Sequence, residues 1–282
     1  MNAVAKRLRP TAATSPWPRR LLIGAMLGYI AVLILAPVGA LLVGAFAEGL
    51  APVAAALSQP DVLAAFGRTL FIAVLTVGFH AVFGTLLAWV LVRHRFPGRA
   101  LLNGLVDLPF AVSAVVVGYM LLLLFGRNGL LSPLLTLLNL KVAFALPGMI
   151  LATLFVTMPF MVRELLPVLE AFGTEPEQAA ATLGANGWQT FWRVTFPALR
   201  GGFTYGVALT FARALGEFGA VLVIGGGVQG RTETATLYIY RALDERHYTG
   251  AYSAALVLGL FSLLLVAGTE YLRHRGKAKA GR

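Results

Sequence analysis

Apolar residues form long stretches along this chain, and polar residues collect between them. A helix needs about 20 mostly apolar residues to cross roughly 30 Å of hydrocarbon. Six stretches meet this requirement and are predicted to be membrane-spanning helices. They cover Leu21–Ala47, Thr69–Val92, Leu101–Gly126, Val142–Val162, Gly201–Gly227 and Gly250–Thr269. The pattern therefore predicts an all-α, polytopic membrane protein with six transmembrane helices.

The composition agrees with this pattern and argues against an ordinary soluble domain. Of the 282 residues, 58% are hydrophobic and 12% are charged, whereas soluble domains contain about 25% charged residues. The chain has no cysteine, which excludes disulfides, thiolate zinc sites and cysteine nucleophiles. One transmembrane domain accounts for the length.

The distribution of basic residues predicts the orientation. The net charge is +11, and with the N-terminus inside, most of the 23 lysine and arginine residues fall in segments that face the cytoplasm. This is the asymmetry found in membrane proteins, so a nucleic-acid partner is not needed to explain the charge. We expect residues 1–20 to be a cytoplasmic segment, residues 21–272 the transmembrane domain and residues 273–282 a cytoplasmic tail. A bacterial inner membrane is the expected location.

A long polar segment, Arg163–Arg200, separates the fourth and fifth spans. Thr174 and Glu177 have the spacing of a capping box and predict the start of a short helix. That helix is predicted to end near Leu183, where Gly184 can adopt the positive φ of a helix C-terminus. A second short helix is predicted from Trp188, to be stopped by Pro197. Its aromatic residues suit either the membrane interface or the groove of a cytosolic partner.

The spacing of residues in this segment resembles the EAA signature of binding-protein-dependent ABC importer permeases. That signature runs Glu-Ala-Ala, three residues, Gly, nine residues, Ile, any residue, Leu-Pro. The spacing is intact here, although Gln178 stands for the first Glu, with Glu177 beside it, and Val and Phe replace Ile and Leu. The matching positions are Gln178, Ala179, Ala180, Gly184, Val194, Phe196 and Pro197.

The resemblance implies a division of labour between subunits. In the family, the loop is a pair of coupling helices that docks on an ATP-hydrolysing subunit. Two such ATP-binding subunits, a second permease subunit and an external binding protein are therefore the expected partners, together with the lipid bilayer. No cofactor is expected in this chain, and ATP and Mg²⁺ are expected in the partner subunits. A related second permease is favoured over a second copy.

Several further segments are similar to sulfate and thiosulfate permeases of the CysW type. They include Asp107–Ser113, Pro147–Thr153 and Gly187–Phe191. The related molybdate and tungstate permeases remain an alternative, since Ala212–Ala220 is also similar to theirs. An ion-coupled secondary transporter is a third interpretation, but such transporters often contain repeated halves, which we do not find in the chain.

Arg213 and Glu217 are predicted to lie deep in the fifth span. Charged residues there are costly and usually face protein or a water-filled path. Their spacing of four places them on one helical face, where they can pair. The pair either orients the helix or contributes to the translocation pathway, with Arg213 attracting the anion and Glu217 limiting how tightly it is held.

Other candidate sites are weaker. Gly225–Thr232 has the length of a P-loop, but it follows a membrane span rather than a strand, so we interpret it as a glycine-rich outer turn. The four histidines have no zinc-site spacing, and no metal site is expected. Glu233, Asp244 and Glu245 are interpreted as a solvated outer surface. Since no catalytic constellation is recognisable, the chain is expected to be a pore-forming subunit and not an enzyme.

Overall fold

The computed structural model describes residues 16–280, and this described part is helical, without β-strands. The predicted all-α class is confirmed. Residues 1–15 of the expected N-terminal segment and residues 281 and 282 of the expected tail lie outside the described residues. The helices are α1 (Pro16–Phe46), α2 (Leu50–Leu57), α3 (Pro60–Phe79), α4 (Thr85–Arg93), α5 (Arg99–Ala111), α6 (Ala114–Phe125), α7 (Ser132–Leu137), α8 (Leu146–Phe172), α9 (Glu175–Thr182), α10 (Gly187–Thr190), α11 (Phe196–Leu215), α12 (Gly219–Gly225), α13 (Ala235–Asp244) and α14 (Tyr248–Ala280).

Four predicted spans correspond to helices that are long and apolar enough to cross a membrane. These helices cover Arg20–Phe46, Pro60–Arg93, Leu146–Phe172 and Tyr248–Tyr271. The second begins earlier than predicted, because Pro60 and Asp61 provide a favourable first turn. The fourth continues past its predicted end, so Arg163 lies inside α8 rather than at the start of a loop.

The third and fifth predicted spans are each two helices rather than one. Helices α5 and α6 meet at 114°, and the helix ending at Leu215 meets α12 at 54°. Before the first bend, Pro109 weakens the last turn of α5 because it lacks an N–H. Val112 and Ser113 then adopt extended conformations. The described residues thus contain four such helices, or six spans if each bent pair crosses once.

Two π-helical turns interrupt the longer helices, at His80–Gly84 between α3 and α4 and at Phe191–Thr195 between α10 and α11. In the first turn, His80 is buried and its Nε2 lies 3.0 Å from the carbonyl of Leu154. A carbonyl only accepts, so Nε2 carries the hydrogen. The turn thereby attaches the second span to α8.

Helix α8 lies at the centre of the bundle and packs against α3, α4, α5, α6, α11 and α12. Met161 and Leu165 of α8 are fully buried in the largest apolar cluster with Leu199 of α11. Helix α11 approaches closely at Gly206, where an added Cβ would lie 2.7 Å from the sulfur of Met161. Small residues permit such contacts between membrane helices.

Polar contacts connect helix ends that the predicted topology assigns to the same side of the membrane. Arg93, after the second span, pairs with Glu177, after the fourth. On the opposite side, the amide of Gln229 donates to Asp61 at 2.8 Å and joins the end of the fifth span to the start of the second. The alternation of sides is therefore consistent with the predicted topology.

Candidate functional site

We call residues 173–197, which carry the EAA spacing, the EAA loop. It contains α9, a turn, α10 and the second π-helical turn. Gly173 and Gly184 flank α9 with φ values of +68° and +83°, so the predicted positive φ at Gly184 is present. Glycine adopts this region without the steric cost that a Cβ would add.

The predicted capping box of α9 is wrong. Thr174 precedes α9 but its side chain makes no capping hydrogen bond. The capping box lies one helix later, where Asn186 and Gln189 each accept a hydrogen bond from the other's backbone N–H, at 2.9 and 3.1 Å. Glu177 is not available to Thr174 because it binds an arginine.

Glu177 joins the EAA loop to the transmembrane bundle. Its Oε2 lies 2.9 Å from Nε of Arg93 at the end of α4, and both side chains are largely buried. Thr195 donates to Oε1 of Glu177 at 2.8 Å, and Arg93 also donates to the carbonyl of Gly173 at 2.6 Å. We call these four residues the Arg93 clamp. Hydrogen bonds to charged groups are stronger than neutral ones, so the clamp holds the loop against the bundle.

The remaining motif positions divide between the surface and the bundle. Gln178 and Ala179 are exposed, whereas Ala180, Val194, Phe196 and Pro197 are partly buried. Leu183 and Trp188 expose 88% and 72% of their surface. A series of ring contacts leads from Trp188 toward the bundle. The ring of Trp188 makes an edge contact with that of Trp192, and Trp192 makes an edge contact with Phe196. The loop therefore has an exposed apolar surface that is connected to the bundle by packed aromatic side chains.

Pro197 does not stop the second short helix as predicted. The helical path continues from Gly187 to Leu215, and Pro197 lies in the first turn of α11. The preceding π-helical turn, in which Phe196 N–H donates to the carbonyl of Phe191, changes the hydrogen-bond register just before the proline. Proline is tolerated there because the π-helical turn interrupts the regular α-helical hydrogen bonding at this point.

The predicted pair of Arg213 and Glu217 is present at the bend of the fifth span. Arg213 Nη1 lies 2.8 Å from Glu217 Oε2. Glu217 follows the end of α11, and its Oε1 accepts from the N–H of Ala220 at 3.0 Å, which orients the start of α12. The Glu217 side chain is 2% exposed and the Arg213 side chain is 33% exposed. Glu217 therefore stabilises the bend, and Arg213 is the accessible member of the pair.

A second ion pair within the bundle was not predicted. Arg163 of α8 donates from Nε to Asp107 of α5 at 2.6 Å and from Nη1 to Asn103 at 2.9 Å. The sequence places Asp107 in the third span and Arg163 at the start of the following polar loop, without a spacing rule that connects them. The position of Asp107 within a predicted span was the available signal, since charges there usually find partners.

The interpretation of Glu233 as a solvated residue is wrong. Glu233 is completely buried, and Nε of Arg241 lies 2.6 Å from its Oε1. Arg68 of α3 donates to the Glu233 carbonyl at 2.7 Å, and Thr69 accepts from the N–H of Ala235. Asp244 and Glu245 are exposed as predicted. We call residues 226–247 the Glu233 segment.

Two pKa values in the Glu233 segment are shifted. The hydrogen bond from Arg241 to Glu233 raises the pKa of the Arg241 guanidinium. Burial raises the pKa of the Tyr238 hydroxyl, and this increase is partly offset by the positive charge of Arg241. The segment therefore keeps Arg241 charged and Tyr238 protonated near neutral pH.

The glycine-rich segment Gly225–Thr232 is a turn. Gly226, Gly227 and Gly230 have positive φ, and the Thr232 hydroxyl donates to the carbonyl of Gly225 at 2.7 Å. No strand precedes it in the described chain, which agrees with the rejection of a P-loop. Among the described residues, no group of three histidine, aspartate or glutamate side chains is arranged to hold a metal ion.

Comparison with known proteins identifies the family. Residues 80–276 match the family model described as "Binding-protein-dependent transport system inner membrane component". The chain is 47% identical over 261 residues to the sulfate transport system permease protein CysW of Synechococcus elongatus, covering 93% of this chain and 90% of that protein.

Relatives from Escherichia coli and one solved structure agree with this match. CysW of strain K12 is 44% identical, covering 98% of this chain and 94% of that protein; CysT is 41% identical, covering 90% and 91%. A bacterial alginate ABC transporter, crystallised with an alginate pentasaccharide-bound periplasmic protein, superposes with a TM-score of 0.74 at 20% identity, covering 92% of this chain and 96% of that chain. The chain therefore belongs to the family of binding-protein-dependent transport system inner membrane components, the permeases of ABC importers.

Proposed function

We propose that this chain is the permease subunit of an importer of sulfate and thiosulfate, driven by ATP hydrolysis in a separate subunit. The observation that carries the proposal is the 47% identity to a sulfate transport system permease over nearly the whole chain. The affinity for the anion then resides mainly in an external binding protein. Two permeases form the path, and ATP binding and hydrolysis expose it first to one side and then to the other.

The EAA loop is the docking surface for the ATP-hydrolysing subunit in this mechanism. Its exposed Leu183 and Trp188 are suited to a groove in a partner, and the Arg93 clamp connects that surface to α4 and to the end of α8. A displacement of the loop is thus passed to two membrane spans. ATP and Mg²⁺ belong to the partner, and both termini of this chain face the cytoplasm.

A related chain is proposed as the second permease. The resemblance of this chain to both CysW and CysT of one bacterium supports two distinct but similar subunits. A periplasmic protein as the external partner is supported by its presence in the complex of the structural relative.

Arg213 supplies positive potential along the anion's path. Its partial exposure beside a helix bend is consistent with contact to a water-filled route, and its pairing with Glu217 limits how strongly it attracts a dianion, which must also leave. Arg213→Ala is expected to abolish uptake while assembly and ATP hydrolysis persist. Full uptake by Arg213→Ala would contradict this role. Loss of assembly in Glu217→Gln would indicate that the ion pair is needed to stabilise the fold.

Uptake of radiolabelled sulfate tests the proposed substrate. Cells expressing this chain with its partner subunits are compared with cells lacking it, with excess thiosulfate, molybdate or tungstate as competitors. We expect energy-dependent uptake that thiosulfate blocks. Strong molybdate uptake without sulfate uptake would overturn the sulfate assignment and retain the ABC permease.

A further inference from the structure

Residues 126–144, which connect α6 to α8, expose large apolar side chains although they form no helix long enough to cross a membrane. We call this segment the leucine loop. Its short helix α7 and the flanking turns carry six exposed large hydrophobic residues: Leu130, Leu134, Leu137, Leu138, Leu140 and Phe144. The loop starts and ends at the same boundary of the bundle, where α6 ends and α8 begins. An apolar segment at the ends of membrane helices is typical of a segment that lies in the membrane interface.

The leucine loop is held in a defined conformation. Backbone hydrogen bonds from Leu131 to Leu124 at 2.9 Å and from Phe144 to Ile224 at 2.7 Å attach its two ends to α6 and α12. Asn139 and Phe144 have φ values of +51° and +54°. Side chains other than glycine adopt this region only at a steric cost, which the surrounding hydrogen bonds offset.

An open cavity of about 510 Å³ that carries positive charge lies against the loop. Arg127 and Lys141 line it together with the hydroxyl-bearing residues Ser132 and Thr136, and no carboxylate is among its lining residues. Neither cation forms an ion pair with a residue of the described chain. The Ser132 and Thr136 hydroxyls donate to the carbonyls of Arg127 and Ser132 and stabilise the loop itself. The cavity therefore combines two uncompensated cations with one amide donor, Asn139.

A second cavity of the same volume provides a contrast. It lies beside the Glu233 segment and is lined by carboxylates as well as cations, including Glu48, Asp61 and Glu245. Its charges are largely balanced by neighbouring groups, and no comparable cluster of leucines surrounds it. The cavity of the leucine loop is thus the one suited to an anion that carries apolar chains.

We propose that the leucine loop binds the phosphate headgroup of an anionic phospholipid, in the leaflet that faces away from the EAA loop. Arg127 and Lys141 contact the phosphate, the side-chain amide of Asn139 donates a hydrogen bond to one of its oxygens, and the acyl chains lie along the exposed leucines. A soluble oxyanion would use the same cations but would leave the six apolar side chains unexplained.

Native mass spectrometry of the purified complex in lipid nanodiscs tests this site. Phosphatidylglycerol is the probe and phosphatidylcholine the zwitterionic reference. One cation near an anionic headgroup strengthens binding by roughly fivefold, so Arg127→Gln with Lys141→Gln is expected to weaken retention of phosphatidylglycerol by about 30-fold. Retention of phosphatidylcholine is expected to stay unchanged.

A matched pair of substitutions provides the control. Arg231 and Arg246 are exposed on the same side of the bundle but do not line the cavity, so Arg231→Gln with Arg246→Gln is expected to retain the lipid. Equal losses in the two double variants, or no loss in the first, would overturn the proposal. Displacement of the lipid by sodium sulfate, at an ionic strength matched with sodium chloride, would assign the cavity to a soluble oxyanion. These outcomes do not depend on which anion is transported.

Discussion

The EAA loop and the Glu233 segment contain similar structural elements but differ in how far these elements are buried. Each contains glycines with positive φ, a short helix, and a glutamate that binds an arginine. In the Glu233 segment, α13 buries Leu237 and Tyr238 and the glutamate is completely enclosed. In the EAA loop, α9 and α10 bury no residue.

The difference indicates what each region is for. The Glu233 segment is held by its own chain, since its carboxylate is enclosed and Leu237 and Tyr238 are buried against the bundle. The EAA loop has the same internal attachment but leaves Leu183 and Trp188 in solvent. A surface of this kind on a rigid support favours binding of another protein. The contrast predicts that damage to the Glu233 segment lowers stability, and that damage to the EAA loop lowers coupling.

The largest expected effect on stability follows Arg241→Met. Glu233 would remain fully buried without its charged partner, and breaking a buried pair in this way costs about 3–5 kcal/mol. Thermal unfolding of the purified protein measures the loss. The control is Glu245→Gln, because Glu245 is an exposed partner of the same arginine and such pairs contribute about 0–1 kcal/mol. Similar melting temperatures for the two variants would contradict the difference in burial.

Arg93→Ala tests the attachment of the EAA loop. Loss of the hydrogen bonds to Glu177 and Gly173 removes charge-assisted contacts that contribute about 1.5–3 kcal/mol each. We expect uptake per ATP hydrolysed to fall by at least tenfold, roughly the effect of 1.4 kcal/mol, while membrane insertion persists. Arg95 is exposed nearby, and Arg95→Ala should leave the ratio unchanged. An unchanged ratio of uptake to ATP hydrolysed in Arg93→Ala would show that the Arg93 clamp is not required for coupling.

Gly184→Val is expected to have a smaller effect. The position has open space around it but a φ of +83°, and a β-branched residue there is strained by about 1–3 kcal/mol. The turn between α9 and α10 should shift, and coupling or docking of the ATP-hydrolysing subunit should decrease. Gly184→Asn is the milder control, since asparagine tolerates this region better. Normal coupling in the valine variant would show that the turn geometry is not required.

The smallest effect concerns alkaline pH in the Glu233 segment. Burial raises the pKa of Tyr238 above its usual value near 10, so the unfolded chain loses this proton first. Stability is then complete below the unfolded pKa and falls as the pH rises through the folded pKa. Melting temperatures between about pH 8 and 11 should decline less in Tyr238→Phe than in the unsubstituted protein, since phenylalanine does not titrate. Parallel declines would exclude this contribution.

The sequence was informative where one local rule decides the structure. Uninterrupted apolar runs predicted the spans, because length and hydropathy alone determine whether a helix can cross a bilayer. Gly184 was predictable because a helix end often demands a residue that tolerates positive φ. The Arg213 and Glu217 pair was predictable because i,i+4 spacing places two side chains together.

The features that were missed depend on contacts between distant segments. Glu177 has the spacing of a capping box but binds Arg93, which is far away in sequence and is a stronger partner than a backbone N–H. Glu233 has the sequence pattern of a surface residue, but in the structure Arg241 binds its carboxylate and Arg68 binds its carbonyl. Pro109 is a local signal before the first bend, but the angles of the bends at Ser113 and Gly216 depend on the packing of α6 and α12 against each other and against α8. Local patterns do not contain this information.

The most direct measurement is cross-linking of the EAA loop to the ATP-hydrolysing subunit. The chain has no cysteine, so Leu183→Cys and Leu137→Cys each introduce a single thiol at a residue that is more than 80% exposed. In the assembled transporter, a short cross-linker with a maleimide at one end and a photoactivated diazirine at the other should join the thiol at position 183 to the ATP-hydrolysing subunit and leave the thiol at position 137 unlinked to it. Cross-linking at position 137, or none at position 183 in a complex that hydrolyses ATP, would contradict the assignment of the EAA loop as the docking surface.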